Sequence, residues 1–287
     1  MTVSPTLSVL YSELVLSLYP ILIKTVQTNT FTQILARFLV FPALALAFGS
    51  TQDFRSIWGN PYETFVAILN SVLNVSHIAV SYLSFKELPT GTAISLFYLY
   101  PIFNILAGSL LFGERLSWFA FLCIGIAFYG VYLISTSNKE DVTKKKKYYV
   151  GVMMGILAAI TETMIFIFVR SNEDAQKSPY YTVNHLYPAG LAGLLAYTIW
   201  KPSVVDTTVS NWIPLLGFNA LLGFTGYIAR FYAIPRIPTI VFSLLSFIGV
   251  TFGYLWGILF TKDEVTMKGL IGSGLIAGSI GLLRYVA

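Results

Sequence analysis

Residues 88–118, LPTGTAISLFYLYPIFNILAGSLLFGERLSW, return as residues 237–267, IPTIVFSLLSFIGVTFGYLWGILFTKDEVTM. The shift from Leu88 to Ile237 is 149 positions and needs no gap. At the same shift Glu13 falls on Glu162, Asn70 on Asn219, Tyr82 on Phe231, Phe103 on Phe252, Gly108 on Gly257 and Gly125 on Gly274. A register that holds from near the start of each half to near its end describes two related halves in one chain.

The composition names the solvent those halves meet. Of 287 residues, 56% are hydrophobic and 11% charged, whereas a soluble domain carries roughly 25% charged residues. Phe and Tyr are abundant, at 22 and 18. Such a chain belongs in a bilayer. The net charge of +5 comes from 18 basic and 13 acidic side chains set mostly between apolar runs, which argues against nucleic acid as a partner. The single cysteine, Cys123, rules out an intramolecular disulfide. The first apolar stretch contains Glu13 and lacks a basic start and a small-residue cleavage site, so it is expected to stay in the protein as its first helix. There is no His-Cys metal spacing, nucleotide-binding glycine loop or nucleophile elbow, so neither an enzyme nor a cofactor is expected.

Ten apolar segments are long enough to cross a bilayer core of ~30 Å. They fall near 5–24, 31–49, 62–84, 90–112, 117–136, 148–170, 179–200, 211–232, 238–261 and 267–286. The predicted fold class is an all-α integral membrane protein with ten transmembrane helices in two five-helix repeats. Residues 1–136 form the first repeat, 137–147 a lysine-rich linker and 148–287 the second repeat. Five is odd, so the second repeat should enter from the opposite face and be inverted relative to the first. Arg55, Arg115, Arg170, Lys177, Arg230, Arg236 and Arg284 fall on the face of the termini. Lys24, Lys86, Lys139, Lys144 to Lys147, Lys201, Lys262 and Lys268 fall on the other, which by charge alone puts the linker in the cytoplasm.

The stretch from Leu88 to Trp118 resembles the fourth-helix signature of drug/metabolite transporters, with Pro-Thr near its start, a mid-helix Pro101 and the terminal Gly113 to Ser117. The second half matches more loosely, with Val250 for Pro101 and Asp263-Glu264-Val265-Thr266 for the terminal motif. Arg37 also sits where this superfamily often carries an arginine. The resemblance covers essentially the whole chain and is nearest the EamA-type ten-helix exporters. It implies an alternating-access carrier with a central cavity lined by helices 1, 3, 4, 6, 8 and 9. It also implies cytoplasmic termini, against the charge count, and is preferred because that count rests on one lysine cluster. No paired basic motif of the phosphate-carrying branch is present.

Ionisable groups at membrane depth are functional candidates. Glu13 shares a helical face with Ser17, Pro20 and Lys24, and its repeat partner Glu162 lies mid-helix. Either could bind an amine or carry a coupling proton, or they could form a buried ion pair with Arg37 or Arg230. Asn70, Asn74, His77 and Ser81 make a polar stripe, and Asn219, Gly223, Gly226, Tyr227 and Arg230 take the equivalent positions. Both stripes should face the cavity. His77 could titrate near neutral pH, and Arg230 could hold a carboxylate or reach to the headgroups. Tyr98, Ser243 and Ser246 are candidates for a cavity wall. Gly274, Gly278 and Gly281, and Gly125 with Gly130, have spacings for close helix contact. Pro20, Pro42, Pro101, Pro188 and Pro214 can bend their helices.

The expected substrate-binding set is therefore Glu13, Asn70, Asn74, His77, Ser81, Tyr98, Glu162, Asn219, Tyr227, Arg230, Ser243 and Ser246, with Glu13, Glu162 and His77 as coupling candidates. The expected activity is secondary transport of a small polar metabolite, an amino acid or similar zwitterion, with protons as a candidate coupling ion. The alternatives are a nucleobase, nucleotide-sugar or sugar-phosphate carrier, or a non-transporting receptor or assembly subunit. The protein should sit in the lipid bilayer as a monomer or homodimer, in the plasma membrane ahead of an internal one.

Overall fold

The computed structural model describes residues 4–88, 90–115, 117–136, 145–261 and 265–282, and within them every apolar segment read from the sequence is helical over most of its length. We number the long helices α1 (Pro5–Leu16 and Tyr19–Thr25), α2 (Thr30–Phe48), α3 (Pro61–Glu87), α4 (Thr90–Phe97 and Tyr100–Leu111) and α5 (Trp118–Ser135). They continue with α6 (Lys145–Ser171), α7 (Pro179–Leu186 and Pro188–Trp200), α8 (Val209–Phe218 through Phe224–Ala233), α9 (Thr239–Ser246 and Ile248–Trp256) and α10 (Met267–Gly281). Among the described residues, seven are long and apolar enough to cross a membrane: α1, α2, α3, α4, α6, α8 and α9. The chain is a helical integral membrane protein. Its outer surface carries exposed apolar side chains such as Leu110, Trp118, Ile199, Trp200 and Leu221, as contact with lipid tails requires. Two short helices, Thr51–Trp58 and Glu173–Lys177, were not expected. The linker residues 137–144, the Asp263-Glu264 pair and Arg284 lie outside the described residues, and Lys145 to Lys147 of the expected linker already belong to α6.

Helix contacts cross between the halves in a regular way. α1 lies along α8 and α3 along α6; α4 meets α9, α5 meets α10, and α2 meets α7. Exchanging the two halves maps this set of pairs onto itself. Hydrogen bonds at the helix ends fix two faces. Lys86 Nζ reaches Thr28 O (2.9 Å), Asn29 Nδ2 reaches Val204 O (3.0 Å) and Asp206 N reaches Thr32 Oγ1 (2.9 Å) on one face. On the face where α1 begins, Ser178 Oγ donates to Asp53 (2.7 Å) and Tyr181 Oη to Glu63 (3.0 Å).

Three of the five flagged prolines stand at breaks. α1 is interrupted at Ser17–Leu18 before Pro20, α4 at Tyr98–Leu99 before Pro101, and α7 at Tyr187 before Pro188. Each proline lacks the N–H that would bond the residue four positions back, and its ring crowds that carbonyl. Pro42 and Pro214 stay inside helical segments. α9 breaks at Phe247, the counterpart of Tyr98, although Val250 stands where α4 has Pro101. α8 contains a π-helical turn, Asn219–Gly223.

The glycine expectation needs correction. Gly125, Gly274, Gly278 and Gly281 have open space where a Cβ would point. Gly130 does make the close approach expected of it, against Gly272 of α10, where a Cβ on either would lie 2.6 Å from the other's carbonyl oxygen. The spacing of small residues was right in kind, but the face turned inward lies elsewhere.

Candidate functional site

At mid-depth, side chains from α1, α6 and α8 converge on one guanidinium. Arg230 Nη1 lies 2.7 Å from Glu13 Oε1, and Nη2 lies 2.7 Å from Glu162 Oε1. All three side chains are buried. Arg230 is stacked near Tyr100 (4.7 Å to the ring centre) and Phe242 (5.4 Å). It neither snorkels nor offers a free fork to a solute; both η-nitrogens are committed to protein carboxylates. Removing one member of such a buried set costs about 3–5 kcal/mol, because it leaves uncompensated charge.

The break in α4 completes the Glu13 site. Residues two apart on a helix normally diverge, yet Tyr98 lies in the interruption and Tyr100 just after it, and both donate to Glu13, to Oε2 at 2.7 Å and Oε1 at 3.0 Å. Tyr100 was missed from the sequence for that reason. Beneath them α9 carries Gly249, the repeat counterpart of Tyr100; a Cβ there would overlap the Tyr98 hydroxyl and come within 2.6 Å of Glu13 Oε2. The break in α1 is closed by Trp256 of α9, whose Nε1 donates to Leu14 O (3.1 Å) and Ser17 Oγ (3.0 Å).

Glu162 continues to a titratable pair. Its Oε2 lies 3.1 Å from His77 Nε2, and His77 Nδ1 lies 3.0 Å from Thr161 Oγ1. The Thr161 hydroxyl is also 2.8 Å from Leu157 O and 3.0 Å from Ala158 O. It can therefore donate to a neutral imidazole, or turn to a carbonyl and accept from an imidazolium.

Arg37 on α2 is buried in a different setting. Its guanidinium lies over the rings of Tyr227 (4.3 Å), Phe41 (5.0 Å), Tyr19 (5.1 Å) and Tyr187 (5.8 Å), and Nε and Nη2 donate to Tyr187 Oη at 3.1 and 2.8 Å. Arg37 and Arg230 share a narrow cavity of about 40 Å³, lined among others by Glu13, Ser17, Pro20, Arg37, His77, Ser81, Tyr82, Phe85, Tyr98, Glu162, Tyr227 and Arg230. Its lining runs toward the face of Lys24, Lys86 and Asp206, which line a second, polar cleft. On the opposite face Glu114, from the terminal motif of α4, forms an ion pair with Arg170 of α6 and accepts from Thr239 N (2.9 Å) and Oγ1 (2.7 Å) at the start of α9. Arg170 also donates to Ile234 O (2.7 Å) and Ile237 O (2.9 Å), so one latch ties α4, α6, α8 and α9 together.

Of the expected site residues, the structure brings Glu13, His77, Ser81, Tyr98, Glu162, Tyr227 and Arg230 to this cavity. It places five elsewhere. Asn70 contacts His185 Nδ1 (3.2 Å) and Asn74 donates to Leu186 O (3.2 Å), so the upper part of the α3 stripe faces α7. Asn219 accepts from Tyr19 Oη (2.8 Å) and donates to Leu215 O (2.8 Å) within the π-turn. Ser246 donates to Phe242 O (2.9 Å) on its own helix, and Ser243 is buried away from the lining. A helical stripe reports one face of one helix; its neighbour changes along a 27-residue length.

A multi-pass helical protein whose two related halves enclose a charged cavity at membrane depth has the build of a membrane transporter. The chain belongs to the EamA-like transporter family, whose pattern matches residues 4–136 and again 149–285. It is similar to an uncharacterised transporter of Synechocystis sp., 27% identical over 73% of this chain and 63% of the relative. A second uncharacterised transporter, from Helicobacter pylori J99, is 28% identical over 69% of this chain and 64% of its own length. The matched stretch thus spans slightly less than two thirds of these relatives. The pseudopaline exporter of Pseudomonas aeruginosa is 23% identical over 76% of this chain and 74% of that protein. A crystal structure 16% identical in sequence superposes with a TM-score of 0.77 over 99% of both chains, which shows a shared fold.

Proposed function

We propose that this transporter carries a small zwitterion, an amino acid or a similar solute, across the plasma membrane by alternating access, in exchange for protons. The observation that carries this reading is the coexistence of buried groups of both signs on one cavity: Glu13, Glu162, Arg230 and Arg37, with His77 beside Glu162. With both carboxylates ionised and His77 neutral these charges cancel, so a solute that also sums to zero adds no net buried charge.

Exchange follows from competition. Glu13, Arg230 and Glu162 together sum to −1, which favours a solute ammonium near Glu162. A proton on His77 neutralises that cluster and weakens the hold on the ammonium. Glu13, Arg37, Arg230, Tyr98, Tyr100 and Tyr227 are the other ionisable groups around the pair. The pairing of helices across the halves supports an inverted repeat. The Glu114 latch on one face and the cavity's course toward the other support a carrier closed on one side at a time. The name of the Pseudomonas relative agrees with export of a metabolite.

Counterflow in proteoliposomes, with amino acids, nucleobases and nucleotide sugars under imposed pH gradients, tests this. Uptake of zwitterionic amino acids that rises with an opposing proton gradient is expected. Uptake of nucleobases or nucleotide sugars alone would sink the zwitterion reading, and counterflow indifferent to pH in wild type and His77→Asn alike would sink the proton exchange.

A further inference from the structure

We infer that Arg37 and Tyr82 form the subsite for a solute carboxylate; this rests on the carrier reading and specifies where one end of its substrate binds. The cavity holds two buried arginines, and they are not equivalent. Both η-nitrogens of Arg230 are held by protein carboxylates, those of Glu13 and Glu162. Arg37 is as deeply buried, at 2% exposure, yet among the described residues no carboxylate stands within ion-pair distance of it. A guanidinium at membrane depth is strongly disfavoured without an anion, and the fold has enclosed this one in aromatic rings and neutral tyrosine hydroxyls.

The second observation is Tyr82. Its hydroxyl is buried, lines the same cavity beside Arg37 and has no acceptor for its O–H. Buried hydroxyls are nearly always satisfied. Here an orphaned donor and a cation without an acid share one wall, and a carboxylate oxygen would satisfy both. Arg is suited to this because its planar fork matches a carboxylate in two bonds. The aromatic cage supplies what a carrier needs beyond affinity. Attraction to the ring faces stabilises the guanidinium while the site is empty, so the carboxylate can leave without stranding a bare charge. A protein carboxylate in its place would hold the cation permanently, as at Arg230.

The test uses the full chain in detergent, with binding read from intrinsic fluorescence and thermal stabilisation. The probes are norvaline, its deaminated acid pentanoate, its decarboxylated amine butylamine, and chloride. Wild type should bind pentanoate saturably and well ahead of chloride. Arg37→Gln should weaken pentanoate and norvaline at least tenfold while leaving butylamine within about twofold, and Arg37→Lys should fall between. Tyr82→Phe should weaken the two carboxylates by a smaller factor. Equal losses for butylamine, unchanged pentanoate binding in Arg37→Gln, no pentanoate binding by wild type, or chloride binding as strong as pentanoate would each overturn the assignment. Should Arg37→Gln not fold, Arg37→Lys and Tyr82→Phe carry the same comparison. Pentanoate binding that depends on Arg37 without norvaline binding would leave the subsite standing and remove the zwitterion reading. Norvaline binding indifferent to Arg37 would do the reverse.

Discussion

Glu13 and Glu162 stand at equivalent positions of the two halves and meet on one guanidinium, each 2.7 Å from a different nitrogen of Arg230. Arg230→Met should leave two facing carboxylates and lower stability by about 3–5 kcal/mol. Adding Glu162→Gln removes the repulsion between the two carboxylates and should recover part of the loss. Thermal unfolding of wild type, both single variants and the double variant gives the coupling. A double variant no more stable than Arg230→Met would mean that the triad is not an energetic unit.

Tyr98 and Tyr100 should not be equally costly to lose. Glu13 Oε1 keeps Arg230 when Tyr100 is removed, whereas among the described hydrogen bonds Oε2 is held by Tyr98. Tyr98→Phe should therefore cost about 1.5–3 kcal/mol, in the range of hydrogen bonds to charged groups, and Tyr100→Phe less. Chemical denaturation in mixed micelles would show the order, and the reverse order would contradict the geometry.

Gly249→Ala should be among the most damaging single-methyl changes in the chain. The new Cβ collides with the Tyr98 hydroxyl and crowds Glu13, and relieving it breaks their hydrogen bond. Overpacking of this kind costs about 1–3 kcal/mol. Gly125→Ala and Gly274→Ala, which meet open space, should stay near wild type in both melting temperature and transport. If Gly249→Ala behaved like those two, the packing described around Glu13 would be wrong.

Breaking the Glu114 latch should open the face where α1 begins. Cys123 is the one native cysteine and is buried, so a Cys123→Ala background allows a single reporter at Thr239. Because Thr239 belongs to the latch, the comparison is Thr239→Cys with and without Glu114→Gln. Labelling by a membrane-impermeant maleimide should be several-fold faster with Glu114→Gln. Equal rates would show that the latch does not set access.

Asp206 provides a pH control away from the cavity. The Thr28 hydroxyl beside it, and hydrogen bonds from Thr208 N–H and Asn211 Nδ2, hold its carboxyl well below the usual range. A depressed folded value means that its contribution is complete above the ordinary pKa of 3.8 and fades only as pH falls through the lower folded value. Between about pH 5 and 8, where histidine titrates, Asp206→Asn should shift stability by a constant amount and leave the pH profile of transport unchanged. His77→Asn should flatten that profile. A pH profile altered by Asp206→Asn would move the proton site to the loop.

The fold was legible because bilayer thickness and the lack of water there leave few choices for an apolar segment of about twenty residues. The breaks at Pro20, Pro101 and Pro188 could be read for a local reason, the missing N–H. The break at Phe247 could not, since Val250 carries no such mark. Glu13, Glu162, His77 and Arg230 were individually visible as costly residues in an apolar setting. Their meeting was not, because it depends on how α1, α3, α6 and α8 come together. Asn70 and Asn74 misled for the same reason: polarity marks a face, and only the neighbouring helix says whether that face meets a cavity or a partner. Tyr100 was hidden by helical geometry that the break in α4 suspends.

Tyr100 in one half answers to Gly249 in the other, and Ser81 answers to Arg230. If the halves exchange roles during transport, their side chains do not, so a solute arriving from one face meets a different wall from one arriving from the other. Half-saturation concentrations on the two faces should then be unequal even with no gradient applied. Since a carrier at equilibrium can do no net work, the tighter face must also be the slower one to deliver. The direction in which the protein works best is written into those two mismatched pairs.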